Sequence, residues 1–402
     1  MAAVGLPLAD LAERTPVGAD APAARRDRVA FLDLAAAEAL AHEWDGLATR
    51  SAEDNIFFAA DFALPAIGAL GHDVSVATLR NAEGRLIALA PVTRVRLGRV
   101  APAMRIWSHN YGPLGVPLIE RGGLDGAAET FVAGLAAGGM SLILPDIQID
   151  GPVAVALTRA AAHAGRPVAV VEAHRRAGLI GRNRRGGDLR AELPTRRRKE
   201  FSRQMRRLAE LGEVTIESAT ALDQVAPRFE EFMALETAGW KGKAGTALLS
   251  SPGKAAFARA AVRNRARVGG VRIDAMRVAG KPAAMVVSFL AGHTAFTWKI
   301  AHDEGLARFS PGAQLMLELP KSMFAGEGVA RIDSCAAADH PMIDHLWKDR
   351  LAVGTLVIGP PGGGLLHRIG LAAFRAEIAA RAIARRLRQR LRARHVSGSR
   401  ET

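Results

Sequence analysis

Two short stretches of the 402-residue sequence gather side chains that can move a proton. Asp333-Ser334-Cys335 follows a strand-like run, and Asp339-His340-Pro341 comes shortly after it. Asp333, Asp339 and His340 can act as bases, and Ser334 or Cys335 can return a proton to a leaving group. Residues just beyond the carboxyl end of a strand are where an open sheet presents its chemistry. Plainer roles compete with these. Asp339 is well suited to capping the next helix. Cys335, the sole cysteine, has no basic neighbour in sequence to stabilise a thiolate.

A second constellation suits an anion. Ser310-Pro311-Gly312 sits between a strand and a helix. Serine favours the N-cap and proline the first helical position. A helix start presents unpaired N–H groups and a positive dipole end, which suits a pyrophosphate. Arg308 just before it can grip a phosphate with two hydrogen bonds. Trp240-Lys241 follows a helix and offers an aromatic wall beside a cation. Trp298 and Lys299 are neighbours on a strand, so alternation sends them to opposite faces, one of them towards a half-open cleft. In the helix expected from Thr195, Phe201, Met205 and Leu208 share one face, leaving Arg203 and the other cations largely elsewhere.

These residues need a scaffold. The chain is 49% hydrophobic and 23% charged, a globular composition long enough for about two or three domains. One cysteine excludes a disulfide scaffold and a cysteine-cluster metal site, and fits a reducing cytoplasm. No apolar run reaches the ~18 residues of a spanning helix, and the first 24 residues lack the order of a signal peptide. The net charge is +14. Between His174 and Glu210 lie 13 basic and 4 acidic residues, and from Gly362 onward 10 arginines and 2 acids. The remaining body is close to neutral, which argues for two local anionic contacts.

Periodicity gives one element order twice. In the second half, Glu213–Glu217 reads as a strand, and helices follow over 222–236 and 254–267. Strands at 272–278, 283–290 and 294–300 are separated by tight turns. A helix over 311–325, a strand over 329–333, a helix over 342–350 and a strand over 353–358 complete the series. The first half repeats the order from strand 28–34 to strand 167–173, pointing to a tandem duplication. The tail 365–394 reads as an amphipathic basic helix, suited to an anionic membrane surface or to packing along the body, and dispensable for binding an acyl donor.

The run Leu193–Leu208 (LPTRRRKEFSRQMRRL) resembles the basic helix opening the C-terminal domain of CelD/BcsL-type acetyltransferases, tandem GNAT proteins related to the FemABX-like aminoacyl transferases. Gly239-Trp240-Lys241-Gly242 with Gly245-Thr246-Ala247, and Ala307-Arg308-Phe309-Ser310-Pro311-Gly312, carry the same resemblance. It implies an α/β fold of two tandem GNAT-like acyltransferase domains, 25–174 and 196–360. A basic linker, 175–195, joins them, and a basic helical tail, 361–402, follows. It implies an N-acyltransferase drawing on acetyl-CoA or another acyl-CoA, without a metal. The acceptor would be an amine or hydroxyl, glycan or lipid-linked, in cellulose, exopolysaccharide or envelope assembly at the cytoplasmic membrane face. The alternatives are aminoacyl transfer from charged tRNA and a non-catalytic membrane-face adaptor. On this reading Arg308, Ser310, Gly312 and Lys299 hold the donor, and Trp240, Lys241, Trp298 and Arg203 the substrate. Asp333, His340, Asp339 and Cys335 are the catalytic candidates. The family's usual tyrosine proton donor has no counterpart there, because the only tyrosine is Tyr111.

Overall fold

The computed structural model describes residues 28–181, 188–326 and 328–398, with side-chain surroundings through Ala384. The arginine-rich middle of the expected linker, 182–187, lies outside the described residues, as does the segment read for a signal peptide. The first half runs β1 (Ala30–Leu32), α1 (Leu34–Glu38), α2 (Ala41–Arg50), α3 (Ala60–Leu70), β2 (Ser75–Arg80), β3 (Leu86–Leu97) and β4 (Ala101–Ile106). It continues with β5 (Leu118–Ile119), α4 (Leu124–Leu135), β6 (Ser141–Gln148), α5 (Pro152–His163) and β7 (Val168–Ile180). The basic helix α6 (Thr195–Ala209) leads into β8 (Val214–Ala219), α7 (Leu222–Ala238), α8 (Trp240–Lys243) and α9 (Pro252–Ala266). Then come β9 (Val271–Val278), β10 (Lys281–Ala291), β11 (Thr294–His302), α10 (Pro311–Ala325), β12 (Arg331–Asp333), α11 (Ile343–Leu346), β13 (Asp349–Ile358) and α12 (Leu365–Gly398).

The described strands form one sheet in the order β1-β2-β3-β4-β6-β13-β7-β12-β11-β10-β9-β8, with β5 on β3. From the two edges inward, β1, β2, β3, β4 and β6 correspond to β8, β9, β10, β11 and β12. In both halves one parallel pair stands out, β4 with β6 and β11 with β12. At the centre the halves exchange their last strands. β13 pairs with β6 of the first half, and the end of β7 pairs with β12 of the second. β13 and β7 then pair with each other from Ile358↔Val168 to Asp349↔Gly178. The duplicated order expected from the sequence is present, but it is built into a continuous sheet.

Packing follows the same plan. Helices α3 and α9 cross the midline, and Phe57 and Phe62 meet Phe257, Phe289, Phe296 and Trp298 in one aromatic cluster. Arg265 of α9 pairs with Asp61 of α3 at 3.0 Å. Asn55 donates to the carbonyls of Leu114 and Val116, pinning the loop between β4 and β5 against this core. Its own Oδ1 accepts from the Phe57 N–H.

Several element ends differ from expectation. β7 runs to Ile180, through residues read as linker, because the exchanged partners β13 and β12 give it hydrogen bonds there. The helix expected over 342–350 is a single turn, since Asp349 and Arg350 already pair with β7. The tail is a helix, as expected, but its first half belongs to the body. Leu371, Phe374 and Ile378 cover Leu97, Ala101, Ala103, Ile143, Val171 and Val357. His367 is buried against Ser141 at 2.9 Å, and Glu377 pairs with Arg99. Gly98 lies so close to α12 that a Cβ there would stand 2.2 Å from the Gly370 carbonyl oxygen. The tail is therefore not a free appendage.

The strand exchange predicts that neither half folds alone. A fragment of residues 188–402 should be insoluble or molten when expressed by itself. Co-expression with residues 1–187 should restore a cooperative, soluble complex, seen by size exclusion and thermal unfolding.

Candidate functional site

The parallel strands β11 and β12 pair over Thr294↔Arg331 to Phe296↔Asp333, and β11 then continues for six more residues. β11 is irregular at that point. Val287 of β10 faces Lys299 and Ser288 faces Thr297, leaving Trp298 as an extra residue. A bulge of this kind interrupts alternation. Trp298 and Lys299, expected on opposite faces, therefore both reach Tyr111. The indole Nε1 donates to the Tyr111 carbonyl at 2.8 Å, and the Lys299 ammonium lies 4.8 Å from the Tyr111 ring centre. Trp298 is 8% exposed and forms core, and the Lys299 side chain is 13% exposed.

Glu236 organises this end of β11. Its side chain is fully buried, and Oε1 accepts from Lys241 at 3.1 Å and Lys299 at 3.3 Å. Oε2 accepts from the Leu248 N–H. Burial opposes its ionisation, but the two ammonium groups outweigh that and hold its pKa below the usual carboxylate value. Lys299 is pulled below the ordinary lysine value, because burial outweighs the attraction of Glu236. Lys241 also donates to the Ile300 carbonyl at 2.8 Å. Trp240 is 57% exposed, and its N–H donates to Glu304. The sequence reading missed Glu236. The signal was an acidic residue continuing the apolar stripe of α7, after Phe229, Phe232 and Met233.

The anion candidates separate into two groups. Arg203, Arg207 and Arg308 line one groove of about 300 Å³ between α6 and the 3-10 turn leading into α10. The Arg308 guanidinium lies over the Phe309 ring at 4.8 Å. Ser310 precedes Pro311, as expected, but it has a left-handed backbone and makes no side-chain cap. A Cβ at Gly312 would meet Ile300 at 3.4 Å, an ordinary contact with β11. The start of α10 is tied to α6, because Gln314 donates to the Phe201 carbonyl and accepts from Arg190.

Of the proton-transfer candidates, Asp333 is engaged. It ends β12 and forms a buried ion pair with Arg176 of β7 at 2.7 Å, while its other oxygen accepts from the Cys335 N–H. Arg176 also donates to the Pro113 carbonyl. Desolvation, with Asp333 nearby, pushes the Cys335 thiol well above its ordinary value, so a thiolate is disfavoured. Asp339 is exposed and left-handed and does not cap α11. That role falls to His340, whose Nδ1 accepts from the N–H groups of Met342 and Ile343 at 3.3 and 3.4 Å. Burial draws the His340 pKa down, Asp344 raises it and Lys241 lowers it. Among the described residues no group of three or more His, Cys, Asp and Glu side chains is arranged to hold a metal ion. No helix among them is long and apolar enough to cross a membrane.

Residues 195–348 match the family described as Acetyltransferase (GNAT) domain. The chain is an α/β protein of two tandem GNAT-like halves with an exchanged strand pair. Among solved structures it is similar to the C-terminal DUF2156 domain of a putative lysylphosphatidylglycerol synthetase from Agrobacterium fabrum. That likeness has 12% identity and a TM-score of 0.53, covering 84% of this chain and 95% of that one. It also matches FemX, at 10% identity and a TM-score of 0.49, over 80% of this chain and 96% of that one. A tandem GNAT protein from the clavulanic acid pathway matches at 14% identity and a TM-score of 0.37, over 84% and 100%. No curated protein sequence matches.

Two outcomes follow from this geometry. Asp333→Ala strands the Arg176 guanidinium in the interior, and equilibrium unfolding should show a loss of about 3–5 kcal/mol. His109, beside Trp107, has its pKa lowered by burial to about 4. The unfolded chain takes up this proton as pH falls through about 6.5. The folded chain does so only near 4. The stabilising contribution is therefore complete above that window and lost across it as pH falls. His109→Gln should flatten this part of the stability–pH profile, measured against wild type in urea.

Proposed function

We propose that the chain is an acyltransferase that holds a phosphate-bearing acyl donor along the Arg203–Arg207–Arg308 groove and carries out transfer beside Lys299. The observation that carries this reading is the gathering of three exposed guanidiniums, with Glu210 among them, beside the entry to α10. Guanidiniums recognise phosphate oxygens with two parallel hydrogen bonds. The GNAT match over residues 195–348 supports acyl-CoA as the donor.

In the reaction an acceptor amine attacks the donor carbonyl carbon, the new C–N bond forms and the C–S bond of the thioester breaks. The amine gives up a proton, and the departing thiolate takes one. Lys299, with its lowered pKa and its hydrogen bond to Glu236, supplies the proton-transfer group. Lys241 helps to hold Glu236 ionised. Tyr111, brought from the first half, forms the opposing wall. The acceptor belongs to surface-polysaccharide or envelope assembly on the CelD/BcsL resemblance.

A second reading, aminoacyl transfer from charged tRNA, is favoured by the arginine row on α6, which extends along an exposed helix well beyond the reach of a single pyrophosphate. Isothermal titration separates the two. Acetyl-CoA should bind wild type, and Arg308→Ala combined with Arg203→Ala should weaken it by about tenfold or more. Binding of charged tRNA without CoA binding would transfer the assignment to the second reading. Lys299→Met should leave donor affinity unchanged and lower turnover by about 10²-fold or more.

A further inference from the structure

A cavity of about 970 Å³ lies at the junction of the halves, and neither the basic groove nor the lysine cluster uses it. Its floor is the central sheet, with Arg105 of β4, Asp146 of β6, Glu172 and Arg176 of β7, and Thr355 of β13. Cys335 to Asp339 of the second half form one side, and Ile378 and Ala382 of α12 another.

Two observations mark it as built for a ligand. The first is unspent positive charge. Arg105 is half-buried, and its guanidinium makes no hydrogen bond or ion pair among the described residues. Burial lowers its pKa, with only the longer-range attraction of Asp146 and Glu172 against it. Arg176 is 3% exposed, and its Nε, buried, has no partner although its other nitrogens are engaged. Buried unpaired guanidinium nitrogens are costly, and an arriving anion would satisfy them. The second observation is conformational. Four non-glycine residues on the lining, Asp146, Glu172, Cys335 and Asp339, have left-handed backbones. Such strain costs free energy and collects at sites where a side chain must be aimed. The lining adds the hydroxyls of Ser108 and Thr355, the amide of Asn110 and the imidazole of His174.

We propose that this cavity is a second ligand site, for a small polyhydroxylated ligand bearing one carboxylate or phosphate. Arg105 and Arg176 take the anionic group, and the hydroxyl, amide and carboxylate side chains take the hydroxyls. The α12 helix is an integral wall of the site, which gives the docked half of the tail a role beyond covering the sheet. The proposal does not depend on acyl transfer at the other site.

The test is calorimetric titration of the full-length protein with glucuronate, glucose 6-phosphate, inorganic phosphate and glucose. Glucuronate or glucose 6-phosphate should bind saturably, and the better of the two identifies the anion. Glucose and inorganic phosphate should each bind at least about tenfold more weakly, since each lacks half of the recognition. Arg105→Met should reduce binding by a similar factor. Ala382→Trp, at a half-exposed position on the α12 wall, should also block it without altering any charge, with folding checked by thermal unfolding. Arg308→Ala should leave it unchanged. The proposal fails if neither sugar anion binds. It also fails if binding survives both Arg105→Met and Ala382→Trp, or if Arg308→Ala removes it.

Discussion

The exchange of β7 and β13 is the constraint on which the rest of the molecule depends. Each half supplies the other's last strand, so β6 and β12 are completed only by a partner from the far end of the chain. A central strand without its neighbour leaves a row of buried N–H and C=O groups unpaired, which no interior tolerates. The exchange also fixes where Arg176 lies. On β7 it meets Asp333 at the end of β12 and the Pro113 carbonyl from the first half's loop. A buried ion pair is a weak source of net stability, because desolvation offsets the Coulombic gain. Its value here is registry. A slip of one residue along β7 would send Arg176 to the other face and leave two buried charges alone.

The site inherits this construction. Tyr111 belongs to the first half, yet its carbonyl holds the Trp298 indole and its ring lies beneath Lys299. The loop that carries it is pinned by Asn55 and Arg176. The second half matches a GNAT domain in sequence, but the tyrosine beside its Lys299 comes from the first. The first half is therefore more than a spacer, even though its own loop after β4 has no cation suited to a donor phosphate. In compensation it contributes Arg105 and most of the floor of the cavity at the junction.

Much of the fold was legible in the sequence because it depends on local patterns. The duplicated element order, the Pro252 and Pro311 helix starts and the apolar stripe of α6 are all set by nearby residues. The exchange was not legible. Arg175 and Arg176 look like the beginning of a linker, and only a partner strand arriving from residue 349 onward makes them β structure. The tail was legible only as two alternatives, a membrane face or packing along the body, and the second is the one observed. Its arginines advertise a solvent or membrane face, and apolar residues such as Leu371 and Phe374 are too few to reveal which part of the sheet they cover.

Site chemistry was legible as composition and not as arrangement. Arg203, Arg308, Lys241 and Lys299 were candidates by type, but a bulge put Trp298 and Lys299 together where alternation separates them. Asp333 and Cys335 looked reactive because of their place after a strand. Burial gave one a structural partner and kept the other protonated. Glu236 shows the general reason. A carboxylate on the apolar face of α7 has no local explanation, because its two ammonium partners come from α8 and β11. A charge placed where local pattern calls for an apolar residue reports a tertiary partner. Where burial rules out water, that partner must be another charge or a ligand. Arg105 follows the same logic on β4. It sits on the face where Ala101 and Ala103 pack under α12, but the groups around it supply no direct partner. Unlike Glu236, Arg105 opens onto a cavity, and the proposed ligand would bring it the anion that the chain does not.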